Sequence, residues 1–298
     1  MPLEVDRFQK PVRKLRKFLK KMSPRPTPGK VHDFRTNTRR VEASVAALSL
    51  DSKRNGRRLL KELARVRKKA GKVRDMDVLT GFASSLHPKD ENDCAVQLLE
   101  HLGARRENYA KRMYSVVHKR GALLRRRLKR ISTRFDKLTR KNGPHAWKAA
   151  ADVTASAISL SAELSTPRRL GRTSLHPYRL KVKQLRNLLQ MAKGANDQSF
   201  VDTLGEVKDA IGEWHDWEEL VCIAADVLNH GPKCQLLAVL KKTSNDKYEH
   251  ASRLTEQMRM KYLRSSKRPS RPAHGRTNGL AEPLLTATAA LGREMGYL

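Results

Sequence analysis

Two short patterns in this sequence set histidine beside arginine at helical spacing. The first is His32-x-x-Arg35-x-x-x-Arg39-Arg40; the second is His176-x-x-Arg179-x-x-x-Lys183, extended by Arg186. Residues i, i+3 and i+7 of an α-helix share one face. His32, Arg35 and Arg39 then form a cationic stripe with Phe34, Val41, Val45 and Leu48 opposite. His176, Arg179, Lys183 and Arg186 form another, opposed by Tyr178, Val182, Leu185 and Leu189. Such a stripe suits anion binding: guanidinium grips phosphate oxygens in pairs, ammonium acts as a point charge, and imidazole adds charge near neutral pH. It suits a metal ion poorly, because arginine stands where a second histidine or a carboxylate would be needed. Both histidines are expected near helix starts, His176 being followed by Pro177 at the first helical position, where free backbone N–H groups favour an anion. A basic stripe opposite an apolar one also describes an ordinary solvated helix face, and a single histidine can be a helix-start or core residue. The recurrence of the same residue types in both halves of the chain is what argues for binding.

The recurrence extends downstream. Gly71-x-x-Arg74-Asp75-x-Asp77-Val78-Leu79 matches Gly212-x-x-His215-Asp216 at an offset of 141, close to the offset of 144 between His32 and His176. Two motifs in one order at nearly one separation point to an internal duplication. The glycines are expected to end one helix, and Asp75 and Asp216 to cap the next, leaving Arg74 as a ligand candidate. Trp214 and Trp217 read as core. A further cationic stripe, Arg58, Lys61, Arg65, Lys68 and Lys72, is opposed by Leu59, Leu63, Val66 and Ala70; in the second half Asp202, Glu206 and Asp209 stand where the first is basic. The run Arg112, Lys119, Arg126, Arg127, Arg130 and Arg134 reads as solvated surface.

The elements that must position these residues are helices. Apolar periods near 3.6 dominate, giving an all-α fold with helices at about 5–22, 31–50, 57–70, 75–85 and 93–140. After the break at Asn142-Gly143-Pro144 they continue at about 145–164, 177–193, 199–211, 213–229 and 233–264. The expected organisation is a first bundle over 1–142, a second over 143–264, and a basic linker and tail over 265–298. The first helix, with Phe8, Val12, Leu15, Leu19 and Met22 among many cations, reads as part of the fold, although it also has the form of a membrane-surface helix or transit peptide.

Composition narrows the class. The 63 Lys and Arg against 30 Asp and Glu leave a net charge of +33, so a polyanionic partner is expected: nucleic acid, an anionic membrane or inorganic polyphosphate. Cys94, Cys222 and Cys234 form neither a disulfide framework nor a zinc pattern and suggest a reducing compartment. No apolar run is long enough to span a bilayer, and the N-terminus is charged where a signal peptide is apolar, so a cytoplasmic protein is expected. Aromatics at 5 % argue against a base-stacking platform, though not against binding a nucleic-acid backbone. Too few acids border the stripes to hold a catalytic metal, and no Gly-rich Lys loop is present; the expectation is no enzyme, no catalytic residue and no cofactor.

The two repeated motifs resemble those of the CHAD domain, the conserved histidine α-helical domain, with the likeness running from about Asp6 to Arg264. It implies two pseudo-symmetric four-helix bundles around a basic central cavity that binds inorganic polyphosphate without catalysis. CHAD domains often accompany a triphosphate-tunnel domain in one chain; none is visible in this sequence, so a stand-alone form associated with polyphosphate granules is expected. His32, Arg35, Arg39, Arg40, His176, Arg179 and Lys183 are the family-type basic positions, and Arg186 extends the second motif. Gln184 in place of Arg40, and His215 in place of Arg74, are departures in the second copy. The residues themselves leave nucleic acid open as the alternative partner.

Overall fold

A computed structural model describes residues 5–47, 50–86, 92–142, 150–167, 169–191, 198–229 and 233–264. Among them are eight α-helices and no strand: α1 (Val5–Lys20), α2 (Pro28–Ala47), α3 (Arg54–Ser84), α4 (Asn92–Asn142), α5 (Ala150–Ser165), α6 (Arg172–Met191), α7 (Gln198–Val227) and α8 (Gln235–Met258). A short 3-10 turn, Leu50–Ser52, precedes α3, and a π turn, Arg259–Leu263, follows α8. None of these helices is long and apolar enough to cross a membrane. The 265–298 tail, Leu48 and the Gly143-Pro144 break lie outside the described residues.

The chain divides into two compact units, the first holding α1 to α4 and the end of α7 from Ala224, the second holding α5, α6, the rest of α7 and α8 from Leu237. In the first unit α3 packs on α2 and α4, and α1 packs on α2 and α4. Its core is built from one apolar stripe per helix: Val12, Leu15 and Leu19; Val31, Phe34, Val41 and Val45; Leu59, Leu63, Val66 and Ala70; Met113, Val117, Leu124 and Leu128. Each such side chain contributes roughly 1.5–3 kcal/mol on burial. The N-terminal helix is therefore part of this core. In the second unit Leu160 and Leu164, Leu175, Tyr178, Val182 and Leu185, Leu204, Val207, Ile211 and Trp214, and Ala251 and Met258 close the core. Trp217 is also buried, so both tryptophans lie inside as their sequence context suggested.

Helix starts follow local chemistry. Pro28 opens α2, the position that tolerates its missing N–H, and Thr27 caps it: its Oγ1 accepts from the Lys30 N–H at 3.4 Å and its carbonyl from Val31 at 3.1 Å. At α6, Ser174 Oγ accepts from the Gly171 N–H at 2.9 Å while Leu175 donates to the Gly171 carbonyl. Since α6 begins at Arg172, Pro177 stands inside it and not at its first position. Neither His32 nor His176 is at a helix start; each is the fifth residue of its helix, beyond the first four free N–H groups.

A larger correction concerns the glycines. The sequence breaks at Gly71 and Gly212 do not exist: α3 and α7 run straight through them, and Asp75 and Asp216 stand mid-helix, not at a helix start. None of Cys94, Cys222 and Cys234 is in a disulfide, and Cys94 and Cys234 are buried with their sulfurs 3.6 Å apart.

Candidate functional site

The reason glycine stands at those two positions lies on the neighbouring helix. In the first unit the Arg35 side chain of α2 is laid across α3 at Gly71, where a Cβ would stand 2.7 Å from its Nη1. Arg35 is crowded. Burial and then Arg39 hold its pKa below the ordinary arginine value, with Arg74 and Arg67 adding to the effect and Asp75 opposing it. Arg67 Nε lies 2.7 Å from Glu42 Oε2, and burial pushes the Glu42 carboxyl up despite Arg67 and Arg39. Arg39, Arg67, Arg74 and Asp75 thus all lie near enough to act on the Arg35 charge, and Glu42 sits against Arg67. His32 is exposed at the head of the same face, its Nε2 3.4 Å from Thr36 Oγ1, and Arg39 and Arg40 are exposed, Arg40 turned away from the stripe by one helical step. Phe34, Val41 and Val45 are buried on the opposite side.

The second unit repeats the device. Arg179 of α6 is laid across α7 at Gly212, where a Cβ would stand 2.5 Å from Nη2 and 2.9 Å from Cζ. Its Nε–H donates to the Lys208 carbonyl at 3.0 Å. Two turns along, Arg186 donates from Nε to the Val201 carbonyl at 3.3 Å and covers Gly205, where a Cβ would stand 3.1 Å from the same nitrogen. Helical carbonyls normally serve their own helix; here the arginines use their spare lone pairs as fixed anchors. His176 stacks at a tilt on His215, ring centroids 4.1 Å apart. Burial, then His215 and Arg179, push the His176 imidazole below its ordinary pKa, and its Nδ1 is buried with no hydrogen-bond partner. Lys183 is partly buried between Arg179 and Arg186 along the stripe. On the reverse face Tyr178 is buried, donates to the Leu164 carbonyl at 3.3 Å, and has its hydroxyl pKa raised by burial.

A family model, the CHAD domain, matches residues 7–223 of the 298. The chain belongs to the CHAD domain family. No curated protein and no solved structure matches it. The matched span takes in α1 to α6 and most of α7, and leaves α8 outside although Ala251 and Met258 of α8 are fully buried in the second unit's core.

The remaining candidates of this CHAD chain sort by face. Arg58, Lys61, Arg65, Lys68 and Lys72 are exposed, with Leu59, Leu63, Val66 and Ala70 wholly buried behind them. Arg65 pairs with Glu62 at 3.0 Å, Glu62 with Arg120 of α4 at 2.8 Å, and Lys72 lies 5.3 Å above the Tyr109 ring of α4. These contacts set the stripe beside α4, while Arg67, Gly71 and Arg74 turn toward α2. Arg67 is the cluster member that sequence reasoning missed. The same offset of 141 that pairs Gly71 with Gly212 pairs Arg67 with Lys208 and would have found both. Asp202, Glu206 and Asp209 are exposed, Asp209 paired with Lys208 at 2.7 Å. Among the described residues no three His, Cys, Asp or Glu side chains gather as metal ligands would.

Proposed function

We propose that this protein is a non-enzymatic binder of inorganic polyphosphate, built by internal duplication so that each unit presents one cationic face to the ligand. The observation that carries the reading is the matched pair of arginines laid over glycines, Arg35 over Gly71 and Arg179 over Gly212, each in a row of further cations. Membership of the CHAD family supports polyphosphate as the polyanion. Packing on a helix backbone removes rotamer freedom from these arginines in advance, so less is lost when they meet phosphate oxygens. A cytoplasmic protein held at polyphosphate granules is the setting that fits this activity.

Replacing Arg35, Arg39 and Arg179 together with alanine tests it. Each charge-assisted hydrogen bond to phosphate that disappears costs roughly 1–3 kcal/mol, so binding of long-chain polyphosphate should fall at least about a hundredfold. Helix content should be unchanged. Two results count against the reading: displacement of polyphosphate by RNA or duplex DNA at equal phosphate concentration, or shortening of the chain by purified protein with Mg²⁺ or Mn²⁺.

A further inference from the structure

A second cationic feature lies in the first unit, away from Arg35 and Gly71. Helix α1 carries Arg16-Lys17-x-x-Lys20 and α4 carries Arg125-Arg126-x-x-Lys129, the same i, i+1, i+4 pattern on two helices that pack together. Val12, Leu15 and Leu19 of α1 and Leu124 and Leu128 of α4 are buried behind these cations. That shared core fixes the two rows along a groove of about 720 Å³, lined among the described residues by eight Lys and Arg side chains and one alanine, with no carboxylate. Among the described residues the six named cations make no ion pair, and Arg16 Nε is shut off from solvent with no acceptor. The unit does not lack acids: Glu62 serves Arg65 and Arg120, and Asp77 holds Arg106 at 2.6 Å. None of these lines the groove, and Asp136, further along the same α1–α4 seam, accepts from Gln9 at 2.7 Å. Like charges at i and i+4 repel, and here two such rows do so together.

We propose that the α1–α4 groove is a second binding site for a linear phosphate chain, separate from the arginine-over-glycine sites. It takes one stretch of polymer between the two cation rows. The inference rests on the polyphosphate reading for its ligand class and on the groove for its place. The cation row on α1 covers about 10 Å, at 1.5 Å per residue from Arg13 to Lys20. It is long enough for a short run of phosphates. With no aromatic side chain in the lining among the described residues, unpaired bases have no surface there on which to stack.

Titration calorimetry of the full chain with a short polyphosphate of defined length, at low salt, tests the site. The wild type should bind in more than one class of site. The variant Arg16→Gln/Lys20→Gln/Arg125→Gln/Lys129→Gln should lose one class with the affinity of the rest unchanged, and Arg35→Ala/Arg39→Ala/Arg179→Ala should keep the class that the groove variant loses. Amine acetylation of the wild type supplies a readout independent of variant folding: polyphosphate should protect Lys17, Lys20 and Lys129. Unchanged stoichiometry in the groove variant, absence of protection, or displacement by single-stranded oligonucleotide at equal phosphate concentration from the groove class alone, the other class keeping its polyphosphate, overturns the proposal and leaves the polyphosphate reading standing. If the groove variant loses all binding while the arginine-motif variant binds as wild type, the groove stands and the motif site falls. A wild type that binds no polyphosphate sinks both.

Discussion

Gly71 and Gly212 are helix-interior residues whose value is the side chain they lack. An interior glycine ordinarily costs about 1 kcal/mol relative to alanine. Gly81 of α3 has open space around it, so Gly81→Ala should stabilise the protein by about 0.5–1 kcal/mol and leave polyphosphate binding untouched. Gly212→Ala gains the same helix propensity but drives its Cβ into Arg179, displacing the guanidinium and its bond to the Lys208 carbonyl. Stability should then change by less than about 1 kcal/mol, while affinity falls roughly tenfold. Denaturant unfolding and calorimetry on the two variants separate the effects; equal behaviour at both glycines would show that the arginine placement is irrelevant to binding. His176 gives a pH signature of the same site. Its folded pKa lies below the unfolded value, about 6.5, so the unfolded chain takes up the proton first and stability falls as pH drops through that value. Phosphate beside the ring favours imidazolium, so polyphosphate affinity should rise over the same acidic range. His176→Gln should flatten both trends, read by thermal unfolding with and without ligand between about pH 5 and 7.5.

At the level of elements, the faces were legible in the sequence and the helix ends were not. The apolar stripes of α2 and α6 recur at i, i+3 and i+4 and face the cores where the pattern placed them. The breaks assigned to Gly71 and Gly212 failed because a glycine's use is set by what crosses it on another helix, which no local window contains. Arg67 was overlooked for a related reason, since its partner Glu42 belongs to α2. Arg259 shows the same dependence at the end of α5. It is fully buried, pairs with Glu256 at 2.8 Å, and donates to the carbonyls of Ser165 and Pro167, tying the π turn after α8 to the end of α5. Arg259→Met keeps most of the volume but removes the donors. It should cost roughly 2–4 kcal/mol in denaturant unfolding, because those buried carbonyls lose their donor and Glu256 keeps only Arg264 as its counter-charge. A loss below about 0.5 kcal/mol would mean that water replaces the guanidinium there.

Over the whole molecule, the excess of 33 positive charges makes stability and binding respond to salt in opposite directions. The free protein carries closely spaced cation rows on α2, α3, α1 and α4, and their mutual repulsion is felt most where screening is weakest. At about 0.01 M ionic strength the screening length is near 30 Å, so rows throughout a unit act on one another; at 0.1 M it is about 10 Å and only neighbours do. Raising NaCl should therefore raise the melting temperature of the free protein. Polyphosphate supplies the missing anion directly. At a hundred times its dissociation constant a ligand adds about 2.7 kcal/mol, which for a chain of this size shifts melting by about 4 °C. The same ionic contacts release counterions on binding, so six to ten of them lose about three to five orders of magnitude in affinity between 50 and 200 mM salt. The bound and free melting curves should be widely separated at low salt and converge as salt rises, the free curve climbing and the bound one falling back toward it. A separation that survives 200 mM NaCl undiminished would place the binding energy in contacts other than these cations, and a free protein that melts lower in salt would show that its charge excess is already compensated within the fold.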